Sequence, residues 1–212
     1  MAAFDPVLKC GGIWGIELDF RWTMDLVPVV IHDPHLKRVF GISGRISELR
    51  FEELRARCPQ VPSLEEVVLR YGGRLHLMLE AKEEIYPNPV VQNRTLSKTL
   101  SELNPGEDFH LISMESKMLE RINCVEPHAK VLVAQMNEKI MSRIALEKHY
   151  GGIAGHYLLI SQQLINKHLE AGQNIGIGYA KSKNSLYREL NRGISWVFSN
   201  HADDLARIRE RV

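Results

Sequence analysis

Two acidic side chains and a histidine near the start of the sequence are the residues best suited to chemistry. Glu17 and Asp19 are two positions apart in a strand-like stretch, GIELDF, so their side chains project from the same face. His32 and Asp33 follow a second extended run, PVVI. Two neighbouring carboxylates that are buried without a partner repel each other, and one takes up a proton. A divalent cation between them removes that repulsion.

A third carboxylate, Glu80, ends another apolar strand, LHLML. Burial of an ionised glutamate is costly unless it is solvated, paired or bound to a metal. In a parallel barrel the C-terminal strand ends line the active face, so Glu17, Asp19 and Glu80 are expected to converge there. Three carboxylates form an all-oxygen ligand set, which favours Mg²⁺ or Ca²⁺ over Zn²⁺. Lys82 shares a face with Glu80 and is placed to meet a substrate anion.

Each of these features also has a purely structural explanation. A Glu-x-Asp pair on a strand is commonly exposed to solvent at a sheet edge, and a His-Asp pair is commonly part of a turn. An ion pair with Glu80 or another carboxylate explains Lys82 almost equally well. The functional interpretation is favoured because all of these residues fall at strand ends, in the order that a barrel site requires.

Composition and charge argue against several functions. The 212 residues are 44% apolar and 25% charged, with a formal net charge of +1 and no dense basic run, so we expect no nucleic-acid partner. No apolar run approaches the length of a transmembrane segment. The three cysteines, Cys10, Cys58 and Cys124, are widely spaced, which argues against a disulfide framework and favours a reducing compartment, taken here as the cytoplasm.

Strand-like and helix-like segments alternate through most of the chain. The strand-like segments are residues 13–20, 75–80, 109–113, 130–134, 152–157, 174–179 and 194–198. Amphipathic helical segments lie between them, a helix is expected over residues 3–10, and two short helices are expected over 46–57 and 63–71. Residues 20–33 form a predicted β-hairpin that returns His32 towards Asp19. This order predicts an α/β fold with a parallel sheet covered by helices.

Methionines and tryptophans between these segments are interpreted as packing residues. Met114, Met136 and Met141 are expected in the core, and Trp14 and Trp196 are expected to pack between the sheet and its helices.

The candidate residues stand in motifs that extend over about the first 82 residues. The motifs are GIELD at 15–19, TMD at 23–25, PVVIHD at 28–33, VPSLEEV at 61–67 and LEAK at 79–82. In this order they resemble the core motifs of the glycerophosphodiester phosphodiesterase family, which typically read GIELDV, TKDG, PVVxHD, IPTLEEV and IEIK. The resemblance is diffuse after residue 82.

The resemblance implies a TIM-type (β/α)8 barrel, with residues 1–212 as a single domain and the hairpin at 20–33 as an insertion. It also implies that Glu17, Asp19 and Glu80 bind a divalent cation, Mg²⁺ or Ca²⁺, and that His32 is one of two catalytic histidines. The implied reaction is metal-dependent hydrolysis of a glycerophosphodiester to glycerol 3-phosphate and an alcohol.

Two motifs of that family have no counterpart in this sequence: a first strand ending in His-Arg-Gly, and a Glu-Asn-Thr that follows it. By the resemblance, the first barrel strand, the partner histidine and a phosphate-binding arginine are missing, so turnover is expected to be impaired. Two alternatives stay open: a non-catalytic fragment or pseudoenzyme that binds a cation or phosphodiester, and another metal-assisted barrel enzyme acting on a phosphorylated metabolite. Exposed strand edges are expected to favour self-association.

Overall fold

A computed structural model of the chain describes residues 4–9 and 11–210. The helix expected over residues 3–10 lies partly outside these ranges. Its described part contains a short 3₁₀ helix, Val7–Lys9.

Eight strands form one curled sheet with the shape of a half-barrel. In spatial order the strands run β2-β1-β3-β4-β5-β6-β7-β8. All neighbouring pairs are parallel except β1 and β2, which are antiparallel. The predicted α/β class is therefore confirmed. The strands are β1 (Gly15–Trp22), β2 (Pro28–Val30), β3 (His76–Ala81), β4 (Phe109–Ser113), β5 (Lys130–Ala134), β6 (Gly152–His156), β7 (Asn174–Gly178) and β8 (Trp196–Phe198).

Helices follow most of the strands, as the alternating sequence pattern predicts. The helix α3 begins at a capping box, because Ser63 and Glu66 each accept a hydrogen bond from the other's backbone N–H. The described helices are α1 (Lys37–Phe40), α2 (Phe51–Arg57), α3 (Leu64–Tyr71), α4 (Pro89–Thr99), α5 (Ser116–Arg121), α6 (Glu138–Glu147), α7 (Gln162–Glu170), α8 (Lys183–Asn191) and α9 (Ala202–Glu210).

The strands β3 and β4 are buried on both faces along their whole length. Alternate residues of β3, such as Leu77 and Leu79, belong to the large core between the sheet and its helices. The intervening residue Met78 belongs to a smaller cluster, completed by Ile112, Val131, Ala154 and Trp196. Because side chains alternate along a strand, this smaller cluster fills the concave side of the sheet. Glu80 shares the Met78 face, so the fold turns its carboxylate towards the concave side.

The chain leaves the βα pattern between β1 and α3. β2 pairs with the end of β1, with Phe20 opposite Val30 and Trp22 opposite Pro28. The Ile31 N–H then donates to the Asp19 carbonyl at 3.0 Å, which brings the following residue beside β1. The rest of this segment has a core of its own, formed by Val29, Ile31, Leu36, Ile46, Leu49, Leu54, Cys58 and Val61.

In the part of the chain that the structure describes, β1 and β8 do not pair with each other. Side chains bridge them at the N-terminal end of the sheet. The Trp14 ring stacks on His76 with centroids 3.8 Å apart, and its centroid lies 6.3 Å from that of Trp196. Arg209 on α9 donates to the Gly12 carbonyl at 3.2 Å.

Several sequence predictions differ from the structure. The single helix expected over 46–57 is a 3₁₀ turn, Ile46–Glu48, followed by α2, and the short helix α1 was not expected. Trp196 belongs to the inner cluster, and Trp14 is 53% exposed. Met141 is buried as predicted, but Met114 and Met136 are exposed. Met114 directly follows β4, and Met136 lies two residues beyond the end of β5.

Asn93 joins two helical segments and is the clearest test of this packing. Its Nδ2 donates to the carbonyls of Pro89 and Arg121, at 2.8 and 2.9 Å. Its Oδ1 accepts from the N–H groups of Asn123 and Cys124, at 2.7 and 3.1 Å. Asn93→Ala is expected to lower the free energy of unfolding by about 3 kcal/mol, because buried backbone groups lose their partners. Urea denaturation measures this difference.

The matched control is Asn123→Ala. Only the backbone of Asn123 takes part in this contact, and its side chain is exposed. The change is expected to stay within about 0.5 kcal/mol. Equal losses in the two variants would show that the Asn93 amide does not join these helices.

Candidate active site

Three carboxylates meet on the paired strands β1 and β3. Asp19 and Glu80 lie towards the C-terminal ends of these strands, and Glu17 lies two residues before Asp19. The ligand oxygens of Glu17, Asp19 and Glu80 all lie within 4.8 Å of one another. The parallel register places Asp19 directly opposite Glu80, and Glu17 opposite Met78. We call Glu17, Asp19 and Glu80 the carboxylate triad. The prediction that these side chains converge is borne out by this geometry.

Lys82 lies against two members of the triad. Its Nζ donates to Asp19 Oδ1 at 2.8 Å and to Glu80 Oε1 at 2.7 Å. Its side chain is only 12% exposed, so the ammonium is shielded from water. Burial disfavours the charged form, but the hydrogen bonds and charges of Asp19 and Glu80 outweigh it and raise the pKa of Lys82. The ion pair anticipated for Lys82 is therefore present, with two carboxylates rather than one.

One ammonium does not neutralise three carboxylates, and Glu17 carries the excess. Loss of solvation raises the pKa of Glu17 to about 8, and the charges of Asp19 and Glu80 add to this effect. Lys82 opposes it. Glu17 is also the most exposed member of the triad. At neutral pH the ion-free site therefore holds a proton on Glu17.

The chemistry of the triad fits a hard divalent cation. All of its donors are carboxylate oxygens, the ligands that Mg²⁺ and Ca²⁺ prefer. The geometry sets three carboxylates against one ammonium, so it brings together more negative charge than the protein neutralises. A bound cation would supply that missing positive charge. In the described residues no other group of three histidine, cysteine or acidic side chains is as close.

His32 lies beside β1 and is held by a neighbouring acid. Its Nδ1 is 2.7 Å from Asp33 Oδ1, and its ring is 63% exposed. Arg38 binds both oxygens of Asp33, with Nη2 at 2.7 Å from Oδ1. The hydrogen bonds from Arg38 and His32 hold the pKa of Asp33 well below its usual range. The ionised Asp33 can only accept, so the Nδ1 of His32 donates to it and Nε2 is left as the acceptor nitrogen.

Arg21 and Glu84 fix the backbone on which His32 stands. Arg21 Nε donates to the His32 carbonyl at 2.8 Å, and Arg21 Nη1 lies 3.6 Å from Glu84 Oε2. Glu84 Oε1 also accepts from the Trp22 N–H at 2.9 Å. Burial raises the pKa of Glu84 to about 7, against the opposing effects of the Trp22 N–H and Arg21. This network links β1, the end of β3 and the hairpin.

Arg21, Glu84 and Arg38 were not predicted from the sequence. A signal for Arg21 was available, because it continues the alternation of Glu17 and Asp19 along the same strand face. No sequence signal identified Glu84, which reaches the site from a loop. His156 ends β6, and its ring stacks on those of Tyr157 and Tyr179, with centroids 4.7 and 5.0 Å apart. It therefore lies at the same end of the sheet as the triad.

Comparison with known proteins places this site in a family. The model of the glycerophosphoryl diester phosphodiesterase family matches residues 1–150. The chain therefore belongs to this family, as the motifs indicate.

Curated relatives agree with that assignment. A glycerophosphodiester phosphodiesterase of Bacillus altitudinis is 25% identical over 232 residues, covering 100% of this chain and 92% of that protein. A human lysophospholipase D is 34% identical over 111 residues, covering 49% of this chain and 35% of that protein. The second match thus spans about a third of the relative.

Solved structures share the fold. A phosphodiesterase of Oleispira antarctica, solved with the product sn-glycerol-3-phosphate, has a TM-score of 0.80 at 18% identity, covering 99% of this chain and 90% of that one. A glycerophosphodiester phosphodiesterase of Agrobacterium tumefaciens has a TM-score of 0.74 at 21% identity, covering 97% and 91%. The curled sheet is thus the sheet of these barrel proteins. Among the described helices, none is long and apolar enough to cross a membrane.

The raised pKa of Glu84 predicts a pH-dependent stability. Between about pH 4.5 and about pH 7 the folded protein retains a proton on Glu84 that the unfolded chain has released. The stabilisation is complete below this window and is lost as the pH rises through it. In the unmodified protein the free energy of unfolding is expected to decrease by up to about 3 kcal/mol across this pH window. Glu84→Gln is expected to remove that decrease. Urea denaturation at a series of pH values measures the slope.

The exposed neighbour provides the control for this experiment. Glu83→Gln is expected to leave the slope unchanged, because Glu83 lies in the same loop and is exposed. A slope that Glu84→Gln does not alter would contradict the protonation assigned to Glu84.

Proposed function

We propose that this chain performs the reaction of its family: metal-dependent hydrolysis of glycerophosphodiesters to glycerol 3-phosphate and an alcohol. The observation that carries the proposal is the carboxylate triad towards the C-terminal ends of β1 and β3. In barrel enzymes this end of the sheet carries the active site. Relatives named for this activity match the chain in sequence, one of them along its whole length.

Glu17, Asp19 and Glu80 would hold the divalent cation, Mg²⁺ or Ca²⁺. When bound, such a cation polarises phosphoryl oxygens and offsets the charge that develops in the transition state. The triad's own part is to fix three oxygens on two paired strands, which leaves little freedom for the donors to move apart.

His32 is proposed to exchange a proton with the substrate. Asp33 holds Nδ1, so Nε2 is the atom that accepts or returns the proton. The exposed ring can reach a substrate oxygen, while Arg21 restrains its backbone carbonyl. Lys82 is proposed to bind the substrate phosphate once a cation has taken its place beside Asp19 and Glu80.

Several expectations about the whole chain stay predictions. These are that residues 1–212 form a single barrel domain and that the family's first strand, with its histidine and arginine, has no counterpart in this sequence. They also include impaired turnover for the chain as given and self-association through exposed strand edges.

Cation binding tests the assignment of the triad. Mg²⁺ or Ca²⁺ is expected to stabilise the protein by about 2.7 kcal/mol at about 100 times its Kd, because it binds the folded state only. Thermal denaturation with and without the cation measures this effect. Glu80→Gln is expected to abolish it, and the exposed Glu83→Gln to retain it. Stabilisation that persists in Glu80→Gln would contradict the proposed ligands.

Turnover tests the reaction itself. Release of glycerol 3-phosphate from glycerophosphocholine is expected to be slow, because the resemblance implies a missing second histidine. Glu80→Gln is expected to reduce that release to background, whereas Glu83→Gln is not. Fast turnover would contradict the expected impairment. Turnover that survives in Glu80→Gln would overturn the proposed site, and cation binding without any turnover would leave a non-catalytic binding protein.

A further inference from the structure

A cavity lies at the N-terminal ends of the strands, at the opposite end of the sheet from the triad. It has a volume of about 640 Å³ and is bounded by the segments that lead into β4, β5, β6 and β7. Its lining includes three histidines, His110, His128 and His149. Among the described lining residues none is a lysine or arginine, and Glu107 is the one acid. The cavity is therefore rich in imidazole and has no permanent positive charge.

His110 has one ring nitrogen without a protein partner. The residue is 3% exposed and lies on the concave face of β4, the face it shares with Ile112. The Glu107 carbonyl can only accept, so His76 Nδ1 donates to it at 2.7 Å. In the neutral rings His76 Nε2 then accepts from His110 Nδ1 at 2.9 Å. The lone pair of His110 is thus on Nε2, to which no described residue donates. A buried acceptor of this kind requires a water or another ligand.

His128 is fixed by the segment that precedes β4. Its Nε2 donates to the Pro105 carbonyl at 3.1 Å, so the neutral ring has its lone pair on Nδ1. A Cβ at Gly106 would lie 2.9 Å from His128 Cδ2. A Cβ at Gly151 would overlap the His128 carbonyl oxygen and lie 3.3 Å from His110 Cδ2. The two glycines therefore leave the room in which the two histidine segments approach each other.

This arrangement is the one that metal-binding imidazoles have. A ligating histidine presents a lone pair and donates its other ring N–H to an acceptor, which fixes the tautomer and the orientation of the ring. His128 donates directly to a carbonyl, and His110 does so through His76. Burial lowers the pKa of His110 to about 3, and the charges of His76 and His128 add to this effect. His110 is therefore neutral, the form that binds a metal.

The donor atoms decide which ligand class fits the cavity. An anion would meet a neutral His110 and, among the described lining residues, no lysine or arginine. Imidazole nitrogen suits Zn²⁺, Cu²⁺ and Ni²⁺, whereas the oxygen ligands of the triad suit hard cations. In the described part of the chain the three imidazoles are farther apart than the triad oxygens. We therefore take His110 and His128 as the protein ligands, with water in the other positions.

We propose that His110 and His128 bind a divalent transition-metal ion, of which Zn²⁺ is the representative, in a second site independent of the triad. The ion would join β4 to the segment that leads into β5, the neighbouring parallel strand. His76 acts as a positioning residue, because it fixes the tautomer of His110. This inference does not rest on the proposed function.

Calorimetric titration of the full chain with Zn²⁺ tests this site, with saturating Mg²⁺ present to occupy the triad. His128→Gln is expected to weaken Zn²⁺ binding at least about tenfold, because one of two protein ligands is lost. His128 is exposed, so this variant is expected to fold. His110→Gln is expected to have the same effect, and circular dichroism checks its folding. The matched control is His201→Gln, since His201 is exposed and follows β8, outside the cavity.

The outcomes separate this site from the triad. Zn²⁺ binding that His128→Gln loses, and that His201→Gln and Glu80→Gln both retain, supports the proposal. No binding of Zn²⁺, or equal losses in His128→Gln and His201→Gln, overturns it, because the ion is then at most adventitious. Binding that only Glu80→Gln loses also overturns it, since the triad then holds the ion. Glycerophosphocholine hydrolysis tests the family reaction separately.

Discussion

The pairing of β1 with β3 places Asp19 opposite Glu80, two residues beyond Glu17, and forces three carboxylates into one small volume. A change of register cannot relieve this crowding, because a shift of one residue would turn every side chain of the strand to the other face of the sheet. The protein responds with one ammonium, from Lys82, and one proton, on Glu17. The rest of the site is arranged around this unresolved negative charge. The hairpin returns His32 to the side of β1, and Arg21 and Glu84 hold the hairpin there.

Asp33, beside His32, and Glu17, in the triad, have pKa values that are shifted in opposite directions. Asp33 accepts hydrogen bonds from Arg38 and His32, and its pKa is lowered. Glu17 loses solvation and faces the charges of Asp19 and Glu80, and its pKa is raised. The two acids are sixteen positions apart in the sequence, and β-hairpin pairing brings their segments together. A cation would reverse the state of Glu17 and leave that of Asp33 unchanged.

Much of this arrangement could be predicted from the sequence, and the rest could not for physical reasons. The strand alternation and the motifs placed Glu17, Asp19 and Glu80 on one face and at one end of the sheet. The capping box at Ser63 depends only on residues three positions apart, so it is a local pattern that a sequence displays directly. Glu84 and Arg38 were missed because they act through contacts between loops, which no periodicity encodes. Met114 and Met136 were wrongly assigned to the core, because residue type alone does not distinguish an apolar side chain in an exposed loop from a buried one.

The location of the ion tests the central claim most directly. Mn²⁺, another cation that prefers oxygen ligands, gives an anomalous signal in crystals of the full chain. The account predicts one strong anomalous peak within about 2.0–2.6 Å of oxygens from Glu17, Asp19 and Glu80, with the Lys82 ammonium moved away from between Asp19 and Glu80. A structure with no peak there, and with Lys82 still bound to both carboxylates in the presence of saturating Mn²⁺, would contradict it.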